Sequence, residues 1–143
     1  MKTLSFRHLC VLALAALALA PAFAAPALIG NKNIAGEKLD AATVKSVFLG
    51  KKVAWDGAGG RVTLAVLKNG DVAEAFLKGA VDMTASAFNN HWRRLAMTGG
   101  GTAPKAFDKE EELRKFVAET PGAIGFLDAT NADASVAVLT PGS

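Results

Sequence analysis

Three apolar runs are short enough to be strands: Ala27 to Ile29, VTLAVL at 62–67 and AIGFL at 123–127. A fourth, Ser135 to Leu139, closes the chain. The near-continuous apolarity of 62–67 suits a strand covered on both faces. Between these runs the pattern changes to helical spacing. Asp40 can N-cap a helix whose inner stripe is Val44, Val47 and Phe48, with Gly50 as its left-handed end. Lys51 and Lys52 follow where the helix dipole favours cations. Further helices are predicted over 71–80, 84–97 and 108–119. Phe88, Trp92 and Leu95 form the inner face of the second, and Leu113, Phe116 and Val117 that of the third. Strands alternating with helices predict a three-layer α/β/α domain with a mixed, mostly parallel sheet. The pattern leaves the strand order open.

Residues 1–24 stand apart from this scheme. Lys2 and Arg7 precede an unbroken apolar run from Leu9 to Ala20, Pro21 breaks it, and Ala22-Phe23-Ala24 offers a cleavage site. This is the layout of a signal peptide, with an N-terminal anchor as the alternative. The run is shorter than the roughly 20 residues of a membrane span, so no stable span is expected once it is removed. The mature domain is then 25–143, and a periplasmic or secreted location follows. Two of the chain's 16 basic residues, Lys2 and Arg7, leave with this segment and no acid does, so 14 face 13 acids. That balance gives no case for nucleic acid or an anionic membrane surface. The single cysteine, Cys10, leaves too, which excludes a disulfide scaffold.

Three separated stretches share one resemblance. VFLGKKVAW at 47–55 looks like the helix-end pattern IFLGKxxxW of phosphate-binding receptors from bacterial ABC uptake systems. NHWRRLAMTGGG at 90–101 is similar to that family's Trp-bearing helix and glycine loop, and PGAIGFL at 121–127 resembles its PGAIGYV turn and strand. The chain thus resembles the type 2 periplasmic-binding-protein superfamily, phosphate-receptor branch, across nearly all of residues 25–143. Such receptors close two lobes on their solute, and this length suits one. The matched motifs belong to the second lobe. The resemblance implies that Ala27–Gly30 and Ser135–Thr140 border a surface the missing lobe would cover. A second copy or another envelope protein is the expected partner there. Each motif also has a purely structural reading, with Trp55 and Trp92 as core or lid residues.

The segment LKNGDVAEAF at 67–76 carries the question of activity. In the receptors, the stretch aligned with Lys68–Val72 carries an Arg and a Ser-Gly-Thr run that grip phosphate. Here Gly70 remains, Lys68 is a weaker cation and both hydroxyls are gone. Asp71 and Glu74 have the spacing of a capping box, as do Asp108 and Glu111. A box would consume the helix's free amides and set a negative charge against an arriving anion. Repulsion of about 4 kcal/mol at 4 Å and an effective dielectric of 20 exceeds the roughly 1.5–3 kcal/mol of one charge-assisted hydrogen bond. Arg61, Lys68 and the loop from Thr98 to Thr102 are the donors available to balance it. The candidate anion-site residues are Lys68, Asn69, Gly70, Asp71, Thr98, Gly99 and Gly100, for phosphate or another small anion bound weakly.

Enzyme chemistry finds no support. His91 is the only histidine after residue 24, and Ser46, Ser86 and Ser135 sit in no nucleophile motif. Neither a metal-ligand spacing nor a cofactor motif is legible, and Gly99-Gly100-Gly101 lacks the Gly-Lys-Ser/Thr of a nucleotide loop. The expected function is an exported, non-catalytic solute-receptor-like protein with a degenerate anion site. The alternative is an envelope interaction module that keeps the fold without solute.

Overall fold

A computed structural model of the chain describes residues 25–141; the expected signal peptide lies outside them. The strands are β1 (Pro26–Gly30), β2 (Thr63–Leu67), β3 (Lys105–Phe107), β4 (Ala123–Asp128) and β5 (Ala137–Leu139). The helices are α1 (Ala41–Phe48), α2 (Asp71–Val81), α3 (Ala85–Met97) and α4 (Glu110–Glu119). One five-stranded sheet runs β3-β2-β4-β1-β5. It is mixed: β2 pairs in parallel with β3 and β4, while β1 pairs antiparallel with β4 and β5. β3 is an element the sequence did not announce. Its Lys-Ala-Phe has no apolar run, and only its inner edge is paired.

Side-chain alternation along β4 sets the layers. Phe126 faces one way and stacks on Phe76 of α2, ring centroids 4.3 Å apart, with Phe48 of α1 completing the cluster. Gly125 faces the other way, where a Cβ would lie 3.2 Å from Leu113 of α4. Helices α1 and α2 therefore cover one face and α4 the other, the expected three-layer arrangement. α3 packs on α2 and reaches α1 through Trp92, whose indole N–H donates to the Phe48 carbonyl at 3.0 Å. Asn31, the one buried polar side chain among the described residues, donates to the carbonyls of Val117 and Ala118. It thereby ties the end of α4 to the end of β1.

The helix starts divide into two kinds. Asp40 accepts from the Thr43 amide and Thr84 from the Ala87 amide, as their spacing predicts. Both expected capping boxes are absent. Gly70, not Asp71, is the N-cap of α2, and Lys109, not Asp108, is that of α4; neither start has a side-chain cap. Tertiary partners have taken the acids. Glu74 accepts from the Ala85 amide at 3.3 Å, stitching α2 to the start of α3, and Asp108 is drawn to Lys68. The amides of α2 are therefore not consumed by its own first turn, contrary to expectation.

Candidate functional site

In a parallel sheet, loops at the carboxyl ends of the strands build the usual binding edge. Leu67 pairs with Phe107, so Lys68 and Asp108 leave their strands side by side. Ala65 pairs with Gly125, which carries Lys68 to the level of Asp128 on the other flank. Asp108 and Asp128 thus stand at the ends of the two strands that flank β2. The Lys68 ammonium bonds Asp108 at 3.0 Å. The Thr130 amide and hydroxyl hold the Asp128 carboxyl below its ordinary range, keeping it charged at neutral pH. Glu110 accepts from the Asp128 amide and from Asn131, adding a further carboxylate. Asp71 is exposed at the first turn of α2. Lys68, Asn69, Gly70 and Asp71 therefore meet at one edge, but in acidic company.

Thr98, Gly99 and Gly100 lie elsewhere. They follow the far end of α3, whose 13 residues extend about 20 Å from the start that Glu74 holds beside α2. The Thr98 hydroxyl donates to the carbonyls of Arg94 and Leu95, and the Gly100 amide to Leu95, so this loop closes its own helix. Arg61 precedes β2 and sits at the opposite end of that strand from Lys68. The expected pooling of Arg61, Lys68 and the 98–102 loop around one anion does not occur.

Their end of the sheet instead carries a cleft of about 490 Å³. β3 is shorter than β2 and leaves Thr63 and Leu64 unpaired on that side, although β4 pairs with both on the other; residues 101–104 line the gap. Val47, Val53, Trp92 and Phe116 supply apolar walls, while Lys52, Arg61 and Lys105 supply charge. No carboxylate lines it. Nothing in the local sequence marks this cleft, because its cations come from three segments that only the fold brings together. A smaller hollow of about 280 Å³ lies between α1 and α2, with Pro26 and Pro141 at its rim.

The three motifs hold one another. The Trp55 indole donates to the Gly122 carbonyl at 2.9 Å, and Trp92 bonds Phe48 while its ring fills the space beside Gly50. His91 bonds the Leu49 carbonyl at 2.9 Å. Each of these groups has a structural task. Among the described residues, no group of three or more His, Cys, Asp or Glu is placed to hold a metal ion, and no helix is long and apolar enough to cross a membrane.

Two solved structures share this arrangement. One is an ABC-type phosphate transport receptor from Vibrio cholerae, 13% identical, TM-score 0.51, matched over 80% of this chain and 44% of its own. The other is a Clostridium perfringens protein assigned as a phosphate ABC transporter substrate-binding protein and solved with bound phosphate. It is 16% identical, TM-score 0.58, matched over 81% of this chain and 44% of its own. The chain has the fold of one lobe of a periplasmic-binding protein. It spans less than half the length of either receptor. No protein-family model matches the sequence, nor does any curated protein. The described residues begin and end on the Lys68 edge, since β1 starts opposite the end of β4 and β5 runs antiparallel to β1. The start of β1 and the end of β5 thus lie together at that edge, while Ile29 and Gly30 lie at the far end of an interior strand.

Proposed function

We propose that the protein is an exported, non-catalytic receptor-like lobe whose anion site is degenerate. The observation that carries this reading is the ion pair of Lys68, the one cation of the former phosphate turn, with Asp108, at an edge of the sheet that also carries Asp71 and Asp128. The obstacle is field rather than occupancy. An exposed pair such as Lys68–Asp108 is worth at most about 1 kcal/mol and would open readily for a better partner. Each carboxylate about 4 Å from an anion opposes it by roughly 4 kcal/mol at an effective dielectric of 20. The open amides of α2 favour an anion, but less strongly, at about 0.3–1 kcal/mol for an exposed helix end. The signal-like residues 1–24 support export, and the absence of any legible nucleophile–base pair supports a non-catalytic role.

Melting curves with phosphate, sulfate and arsenate test the reading. The expected result is no rise for the native chain through about 10 mM of each, where a receptor-grade site at a hundred times its Kd would add about 2.7 kcal/mol. Asp71→Ser combined with Asp108→Asn removes two acids and frees Lys68, and this variant is expected to gain a phosphate-dependent rise. Native protein stabilised by micromolar phosphate would overturn the proposal.

The second reading is an interaction module, favoured by the outer strand β5, which leaves Val138 59% exposed beside the open edge. Unpaired strand edges invite pairing. Under this reading, light scattering at high micromolar concentration shows a dimer; a strict monomer removes the self-pairing form of it.

A further inference from the structure

The cleft at the amino end of β2 is unlike the Lys68 edge in every respect that matters to a ligand. Its charge has one sign. Lys52 is engaged with Asp56 at 2.9 Å, while Arg61 and Lys105 form no ion pair among the described residues. The Lys105 ammonium lies 6.0 Å from the centre of the Phe116 ring, so a charged group and an aromatic wall are presented together. Trp92, 7% exposed, forms part of the opposite wall and is fixed there by its bond to Phe48. The volume, about 490 Å³, falls within the range of small-molecule sites, roughly 300–1,000 Å³. Thr63 and Thr102 add hydroxyls.

We propose that this cleft binds a small organic carboxylate with an apolar body. The carboxylate lies between Arg61 and Lys105, and the body lies against Trp92, Val47 and Phe116. Inorganic phosphate fits poorly, because it has no apolar surface to set against those walls. A cationic ligand is repelled, and a neutral one forgoes the charge-assisted bonds that Arg and Lys offer. The site is independent of the degenerate anion edge, which lies at the other end of the same strand. Either can fail without the other.

The test is a titration of the ¹⁵N-labelled protein with octanoate, octanol and inorganic phosphate, read at the two indole N–H signals. Octanoate is expected to shift Trp92 and leave Trp55 unmoved, with octanol at least tenfold weaker and phosphate without effect on Trp92. Arg61→Ala combined with Lys105→Ala should weaken octanoate at least tenfold; Lys68→Ala should leave it unchanged. Thr102→Glu, which places an acid at an exposed rim position, provides a second variant should the first lose its native melting temperature, and it should weaken binding to a similar degree. The proposal is overturned if Trp92 is unmoved by millimolar octanoate, if octanol matches octanoate, or if the charge variants bind as the parent does.

Discussion

Replacing Gly122 with alanine is expected to destabilise the fold by about 3 kcal/mol or more. Two terms combine. Gly122 has φ +78°, a left-handed conformation that costs an L-residue about 1–2 kcal/mol. A Cβ there would also lie 2.1 Å from the Arg61 carbonyl oxygen and 2.7 Å from that of Gly59. Those atoms are backbone and have no rotamer to escape into. Moving them disturbs the Trp55–Gly122 bond and the Thr63–Gly122 bond that starts β2. Thermal unfolding should show a melting temperature lower by about 10 °C or more. Gly79→Ala is the control: it lies within α2 with open space around its Cβ position, and should stabilise by about 0.5–1 kcal/mol. An alanine at 122 that melts with the parent would show that the PGAIG turn is not sterically required.

The second large effect belongs to the aromatic cluster. Phe126 is fully buried, stacked on Phe76 and 6.2 Å from Phe48 between ring centres. Phe126→Ala removes the residue through which the sheet grips both α1 and α2, and should cost about 3–5 kcal/mol. Domains are commonly stable by only about 5–15 kcal/mol, so the loss is a large part of the whole. With an m-value near 1.5 kcal/mol/M, the urea midpoint should fall by about 2–3 M with little change in slope. A fall of less than about 0.5 M would mean that this face of the sheet is held by something other than the three rings.

The residues that were legible in sequence are those whose neighbours are local or whose apolarity is continuous. β2 and β4 announce themselves because both faces are covered, and α1 and α3 because their caps and stripes fall at fixed spacings. The capping boxes of α2 and α4 were misread for one physical reason: a carboxylate three residues from a possible cap also answers to whatever the fold brings near. Glu74 found Ala85, and Asp108 found Lys68 across two parallel strands. The acid that holds Lys68 is therefore Asp108, not the Asp71 and Glu74 that the local spacing suggests. Similarly, the glycine loop at 98–100 reads as a donor beside Lys68, because nothing local separates the two. Helix α3 carries it to the other end of the sheet, and only long-range pairing could have revealed that. Asn31 sits in an Asn-Lys-Asn stretch of turn-like composition, yet its side chain closes the end of a helix 86 positions away.

Pro26 and Pro141, at the two ends of the described residues, line one small hollow. A folded unit entered and left on one side can be joined to a host at a single surface turn, and the entropy of closing a loop grows only slowly with its length. Tethered through that end, the lobe would present the Arg61 cleft outward, away from whatever carries it.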